Sequence, residues 1–179
     1  MRNNSAWNQR WFTTHRGGSG NDNGPMMMTM EDAKLEAEYA IKISAIDPYN
    51  ESPLRYLIAL LREQQKQQQQ QQKQECIAKE EEEKLKEEGN IEEMDDIQFV
   101  SFLNNVETKI DGLKNTLNNE NDCPALISAY IDILEMKNDS ISLEKGALMA
   151  NDLGLKYDVI RKKYWLMREG KLRLRCENE

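Results

Sequence analysis

The chain has 179 residues, of which 39% are hydrophobic and 31% charged, and its formal net charge is −8. These values fit one domain of ordinary size, or part of a larger one, whose core is diluted by solvated sequence. No apolar run approaches the ~20 residues of a membrane-spanning helix, and no apolar segment of a secretory signal follows Met1. An acidic chain is a poor match for nucleic acid. We therefore expect a cytoplasmic protein with no membrane span and no nucleic-acid partner.

Residues that carry chemistry are sparse. Cys76, Cys123 and Cys176 lie far apart in the sequence, a spacing that fits neither a disulfide framework nor a CxxC metal site. The single histidine, His15, precedes a run of glycines, and we expect it to be solvated. That glycine run lacks the Lys-Ser/Thr pair of a phosphate-binding loop. We predict no catalytic, cofactor-binding or metal-binding residue on this chain.

Two low-complexity segments divide the chain. Residues 13–29 are rich in Gly, Asn and Pro, which predicts a surface loop. Residues 62–96 hold a glutamine tract and a net charge of −6, from twelve acidic and six basic residues. We predict that this insertion is disordered or a solvated helix without a face with which to pack. The predicted divisions are residues 1–61, the insertion at 62–96, C-terminal helical hairpins at 97–175 and a tail at 176–179.

The first region has helical periodicity. A helix over residues 31–46 places four small residues on one face, which lets a neighbouring helix approach closely. Those residues are Ala33, Ala37, Ala40 and Ser44. Asp47 and Pro48 end this helix. Ser52 is the predicted N-cap of a second helix, with Pro53 in its first turn and a buried run at 56–61. The two helices predict a hairpin.

The C-terminal region repeats this pattern. Apolar residues follow 3-4-3-4 spacing at Leu103, Val106, Ile110, Leu113 and Leu117. A turn at 118–122 leads to a helix that starts at Pro124. The next helix, 141–153, is predicted to end at Gly154 in the C′ position, and Asp158 is predicted to cap the last helix. We expect that helix to carry Ile160, Tyr164 and Met167 as apolar positions and to pack through Tyr164 and Trp165. No run alternates with period two, so the predicted class is all-α.

The N-terminal region contains an internal repeat. Residues 2–10 align with residues 49–57 at an offset of 47, with Asn3, Ser5 and Trp7 matching Asn50, Ser52 and Leu54. In both segments Asn and Ser open the second helix of a hairpin, which predicts an α-α superhelix of hairpin repeats. The first repeat has no first helix. We therefore expect an N-terminal edge that exposes Trp7, Trp11 and Phe12, and further repeats before Met1.

The motif Asn-Asn-Ser-Ala-Trp-Asn-Gln-Arg at residues 3–10 resembles the Asn-x-x-x-Trp-x-x-Arg repeat of protein prenyltransferase α subunits. Three further stretches resemble the α subunit shared by farnesyltransferase and type I geranylgeranyltransferase, and they follow the same order. They are residues 40–52, the Cys123-Pro124 helix and residues 156–165. The resemblance covers roughly residues 1–61 and 110–170, within the C-terminal part of that subunit. It excludes the Gly-rich loop and the insertion.

The resemblance implies a crescent of helical hairpins that wraps a β subunit. In that family the β subunit holds zinc and most of the isoprenoid pocket, and magnesium is likewise implied only through the complex. The complex transfers farnesyl or geranylgeranyl from an isoprenyl diphosphate to the Cys of a CaaX protein, through attack of the zinc-bound thiolate on C1. The family's Lys and Tyr near the diphosphate lie in repeats without a counterpart here. The implied role of this chain is therefore to scaffold the β subunit.

For the matched motif, the resemblance implies a β-subunit interface formed by Asn4, Trp7, Asn8 and Arg10. The residues alone leave an equal alternative, in which Trp7 is part of the hairpin core and Arg10 is a surface cation. Two alternatives remain open for the whole chain. One is a non-catalytic helical-repeat adaptor that binds a protein partner, and the other is the α subunit of a type II geranylgeranyltransferase that modifies Rab proteins.

Overall fold

The computed structural model describes residues 4–16, 28–82, 94–116 and 123–177. These residues form α-helices and no strand, so the predicted all-α class is confirmed. The helices are α1 Asn4–Arg16, α2 Met30–Ile46, α3 Glu51–Glu82, α4 Met94–Thr116, α5 Pro124–Lys137, α6 Ser140–Asp152 and α7 Lys162–Glu177. Within the described ranges, no helix combines the length and apolar character needed to cross a membrane. The predicted turn at 118–122 lies outside these ranges.

Consecutive helices pack as pairs. Helix α2 packs on α3, α4 on α5, and α6 on α7. Between pairs, α3 contacts both α1 and α5, while α2 contacts α4. Helix α5 in turn packs on α6. The helices predicted to form hairpins are therefore in contact, and each pair also packs against a neighbouring pair.

Helix α5 lies between two apolar clusters. Leu126, Ile133 and Leu134 belong to a cluster built from α1 to α5. Ile127 and Ile131 belong to a second cluster with residues of α6 and α7. A helix that is apolar around most of its circumference must be covered on most sides. The helices before and after α5 supply that cover.

The small-residue face predicted for α2 is confirmed. Ala33, Ala37, Ala40 and Ser44 are all buried, and the Ser44 hydroxyl donates to the Ala40 carbonyl at 2.9 Å. The Thr29 side chain accepts a hydrogen bond from the Asp32 amide and caps the helix. Short side chains on the inward face let α3 pack closely.

Helix α3 begins one residue before the predicted cap. Glu51 is its first residue, and the Asn50 side chain accepts from the Ser52 amide at 3.2 Å. Asn50 therefore has the capping role that was predicted for Ser52. The buried run at 56–61 is confirmed for all of its residues except Ala59, which is exposed.

The glutamine tract continues α3 without a break at residue 62. Gln64 and Gln68 are buried, and the Gln64 amide donates to the Met28 carbonyl at 3.3 Å. Gln65 donates to the Met136 carbonyl on α5 at 3.2 Å. The prediction that this segment has no face with which to pack is wrong for its first turns. Amide side chains can line a packed face when backbone carbonyls accept their hydrogen bonds.

The connection between α6 and α7 differs from the prediction. A π-helical turn, Leu153–Tyr157, continues α6, and a 3-10 turn, Val159–Arg161, precedes α7. Gly154 lies in the π-helical turn with negative φ, so it is not a left-handed C′ residue. It is needed for a different reason. A Cβ atom at Gly154 would lie 2.9 Å from the Cβ of Trp165.

Asp158 does not cap the last helix through its side chain. Its carboxylate instead accepts from the Trp165 indole at 2.8 Å and from Arg161 at 2.6 Å. These hydrogen bonds hold the pKa of Asp158 below its usual range, against an opposing effect of burial. The residues that α7 buries are Trp165, Arg168 and Leu172. The predicted packing of Trp165 is confirmed, whereas Ile160, Tyr164 and Met167 are exposed.

We predict that Gly154→Ala lowers the free energy of unfolding by about 1–3 kcal/mol, because the added methyl group displaces Trp165 or the turn. Gly170→Ala is the matched control, because a Cβ there meets no atom within 4 Å. It lies in α7 and should raise the free energy of unfolding by about 0.5–1 kcal/mol. Urea denaturation followed by circular dichroism measures both. Equal effects of the two substitutions would contradict this account of Gly154.

Candidate functional site

The motif residues of α1 lie in a cluster with α2 and α3, here called the N-terminal cluster: Trp7, Arg10, Glu36, Tyr39 and Tyr56. The Trp7 ring is 5.8 Å from Tyr39 and 5.2 Å from Tyr56, measured between ring centres. Only 7% of Trp7 is exposed. Trp7 is therefore a core residue, as in the alternative that places Trp7 in the hairpin core.

Arg10 connects α1 to α2. Its Nε and Nη2 donate to the two carboxylate oxygens of Glu36 at 2.7 and 2.8 Å, a bidentate ion pair. The guanidinium carbon lies 3.9 Å from the centre of the Tyr39 ring. The hydrogen bonds to Glu36 raise the pKa of Arg10. Arg10 is thus a fixed partner of Glu36 rather than a solvated cation.

Glu36 also binds α3. The Tyr56 hydroxyl donates to Glu36 Oε2 at 2.7 Å. Burial raises the pKa of Tyr56 to about 12, and the hydrogen bond to Glu36 adds to the effect. One carboxylate therefore joins three helices. Glu36 was not predicted from the sequence, although it stands at helical spacing between Ala33 and Ala40, where a charge interrupts a face of small residues.

The two asparagines of the predicted interface lie on the outer side of α1. Asn4 and Asn8 are exposed, and Phe12, four residues further along the same helix face, is 52% exposed. Trp11 is half-buried and its ring meets Tyr56 edge-on at 5.8 Å. Of the aromatic residues expected at an exposed edge, only Phe12 is exposed. Asn4, Asn8 and Phe12 form the outer strip of α1.

His15 is packed, which corrects the expectation of a solvated side chain. Residues 13–16 continue α1, so the predicted loop does not begin at residue 13. The imidazole stacks on Trp11 with 3.9 Å between ring centres. Its Nε2 lies 3.0 Å from Glu63 Oε2 on α3. His15 therefore adds a direct polar contact between α1 and α3.

A second polar network joins α4, α5 and α6. The Tyr130 hydroxyl lies 3.1 Å from Glu107 Oε1, and Lys145 Nζ lies 2.5 Å from the same hydroxyl. Lys137 donates to Glu107 at 2.7 Å. Burial raises the pKa of Tyr130, and the nearby Glu107 carboxylate raises it further. This network therefore links α4, α5 and α6 through the Tyr130 hydroxyl and the Glu107 carboxylate.

The potential metal ligands are dispersed in the described part of the chain. No three His, Cys, Asp or Glu side chains among these residues are grouped so that they could hold a metal ion. Cys123 is buried before α5, and its thiol donates to the Pro48 carbonyl at 3.0 Å. This contact fixes the start of α5 against the turn between α2 and α3.

Comparison with known proteins gives no relative from which a function could be transferred. No family model, curated protein or solved structure matches this chain.

We predict that Glu36→Gln lowers the free energy of unfolding by about 1–3 kcal/mol, because it removes the charge that binds Arg10 and Tyr56. Glu38→Gln is the matched control on the same helix. Glu38 is 63% exposed and pairs with Lys109 at 2.9 Å, so its loss should change stability by less than about 0.5 kcal/mol. Urea denaturation at neutral pH tests both. Equal losses would show that Glu36 does not have this role.

The shifted pKa of Tyr56 predicts a loss of stability in alkali. Its phenol has a pKa of 10.0 without perturbation and about 12 in the folded protein. Tyr56 therefore contributes its stability fully below pH 10.0 and loses it as the pH rises through about 12. Tyr56→Phe should make the fall in unfolding free energy across this pH interval shallower. Some of the fall should remain, because the pKa of Tyr130 is also raised. An unchanged pH profile in this variant would contradict the prediction.

Proposed function

We propose that this protein is a helical-repeat scaffold subunit of the protein prenyltransferase α type. In this role it binds a β subunit that carries zinc, in the cytoplasm. The complex transfers farnesyl or geranylgeranyl to CaaX proteins, and this chain stabilises the β subunit and shapes its pocket. The observation that carries the proposal is the repeat of one inward face in α1 and α3, 47 residues apart, which is the offset of the sequence motif.

The two helices also use equivalent faces. Trp7, Arg10, Trp11 and Thr14 are buried or half-buried in α1. The residues 47 positions later are Leu54, Leu57, Ile58 and Leu61, and all four are buried in α3. Helices that turn the same motif positions inward support a hairpin repeat. The series of contacts between α1, α3 and α5 agrees with a superhelical arrangement.

The N-terminal cluster changes the role that the motif has in this proposal. Trp7 and Arg10 connect one repeat to the next, through Tyr39, Tyr56 and Glu36. Of the four residues predicted for the β-subunit interface, Asn4 and Asn8 are exposed and remain available to a β subunit. Zinc and magnesium belong to the complex in this proposal, with no ligand assigned on this chain.

Co-expression with a prenyltransferase β subunit tests the proposal. The chain is produced with the β subunit of farnesyltransferase, of type I geranylgeranyltransferase and, separately, of the type II enzyme. We expect a stable heterodimer that contains zinc and transfers a prenyl group to a CaaX peptide. Asn8→Arg should reduce recovery of the β subunit several-fold, because it adds a long cation to the outer strip.

Asn104→Arg is the matched control, because Asn104 is exposed on α4, away from the outer strip. It should leave recovery of the β subunit unchanged. A heterodimer formed only with the type II subunit, with prenyl transfer to a Rab protein, would replace the type I assignment. No heterodimer with any β subunit would leave a non-catalytic adaptor as the better interpretation.

A further inference from the structure

The side of α7 that faces away from its buried residues carries apolar side chains. Met167, Gly170 and Leu174 follow three- and four-residue spacing, so they lie together on this outer side. Met167 is 52% exposed and Leu174 is 60% exposed, and a Cβ atom at Gly170 would meet no atom within 4 Å. Leu166, next to Met167, is exposed as well. The outer side of α7 is therefore an apolar surface in contact with solvent.

This surface continues beyond the N-terminal end of α7. Ile160 lies in the 3-10 turn before the helix and is 99% exposed. Tyr164, in the first turn of α7, is also exposed and stands at helical spacing between Ile160 and Met167. Large apolar side chains exposed next to one another mark surfaces that bind a protein or a membrane. The residues of this surface, here called the α7 strip, are Ile160, Tyr164, Leu166, Met167 and Leu174.

Three exposed lysines stand beside the α7 strip: Lys162, Lys163 and Lys171. Lys162 lies one turn before Leu166, and Lys171 lies one turn after Met167. The ion pairs that α7 forms with the described residues involve its arginines and none of these three lysines. Their ammonium groups are therefore available to an external anion.

The other charges on this side of α7 largely cancel. Arg161 pairs with Asp158 at 2.6 Å, and Arg173 pairs with Glu169 at 3.0 Å. Glu177, in the last turn, is exposed and adds one negative charge. Three lysines against one glutamate leave the outer side of α7 positive, in a chain whose formal net charge is −8. A local reversal of charge attracts anionic surfaces.

We propose that the outer side of α7 binds the surface of an anionic lipid membrane. The α7 strip enters the boundary between headgroups and acyl chains, and the lysine ammonium groups stay at the level of the lipid phosphates. Apolar side chains with cations beside them match this layered arrangement of a lipid surface. Nucleic acid or free phosphate would pair with the lysines but would leave the α7 strip uncovered.

The shape of this side favours a lipid surface over a peptide. The outer side of a single helix is convex, and the α7 strip with its lysines extends about 20 Å along it. A peptide contacts a convex surface along one line, whereas a fluid lipid surface can cover the strip and the lysines together. The inference does not depend on the proposed function, because it uses no contact with a β subunit.

Sedimentation of the full chain with lipid vesicles tests the proposal. One set of vesicles contains phosphatidylcholine and phosphatidylserine in a ratio of about two to one, and the other contains phosphatidylcholine alone. We expect binding to the anionic vesicles that is at least about tenfold tighter than to the neutral ones, and weaker at high salt. Absence of binding to the anionic vesicles, or equal binding to both sets, would overturn the proposal.

The lysine variant combines Lys162→Gln, Lys163→Gln and Lys171→Gln. A lysine near an anionic membrane contributes about fivefold to binding, so this variant should bind the anionic vesicles at least about tenfold more weakly. Its remaining binding should also depend less on salt.

The matched control removes three exposed lysines from other helices and changes the net charge by the same amount. It combines Lys42→Gln on α2 with Lys66→Gln and Lys73→Gln on α3. Its binding should stay within about twofold of that of the parent chain, because these lysines lie away from α7. Equal losses in the two triple variants would show that net charge governs binding and would refute the assignment to α7.

A second pair of variants tests the apolar part of the surface. Ile160→Ser should weaken vesicle binding several-fold, because it removes apolar area that enters the membrane. Ile46→Ser is the matched control, because Ile46 is 75% exposed on α2; it should leave binding unchanged. The salt dependence of the Ile160→Ser variant should match that of the parent chain. Equal binding of the two serine variants would contradict the insertion of the α7 strip.

The substituted residues are exposed, so the circular dichroism spectra of all variants should match that of the parent chain. If the spectrum of the lysine variant changes, Lys163→Gln alone gives the same test, with an expected loss of about fivefold. A labelled peptide of Glu and Leu serves as the alternative ligand. Binding of this peptide without binding to anionic vesicles would replace the membrane by an acidic protein partner and overturn the proposal.

Discussion

The structure depends on the coverage of two helices that are apolar around most of their circumference. Helix α5 buries residues on almost every side, and the first turns of α3 do the same at residues 53–54, 56–58 and 60–61. Burial of apolar surface supplies most of the driving force for folding. Neither helix can be covered by one partner, so α3 packs on α1, α2, α4 and α5, and α5 on α3, α4 and α6. The order of the helix pairs follows from this requirement.

Apolar burial has little directional preference, and buried polar links fix how the helices meet. Glu36 joins α1, α2 and α3, and Glu107 joins α4 and α5 through Tyr130. Arg168 joins α7 to α5. Each link is a charged side chain that is mostly buried and has several partners. Leaving one of these charges unpaired would cost far more than a single surface ion pair contributes, so these links favour one packing arrangement over others.

Local periodicity predicted the elements whose signals are local. The small face of α2, the buried residues Leu103, Val106 and Ile110 of the α4 stripe, and the start of α5 at Pro124 all follow from local signals. The missed features depend on contacts distant in sequence. The role of Gly154 comes from Trp165, and the burial of Gln64 comes from a carbonyl of Met28. In the candidate site the motif located Trp7 and Arg10, but the roles of Glu36 and Tyr56 depend on how three helices meet.

Helix α7 shows how a correct period can lead to the wrong face. Ile160, Tyr164 and Met167 have helical spacing, and so do Trp165, Arg168 and Leu172, which lie on another side. Packing against α6 buries the second set, because Trp165 fits over Gly154 and donates to Asp158. The first set then stays exposed. Helical spacing therefore defines two possible inward sides of α7, and the contacts with neighbouring elements decide which of them is buried.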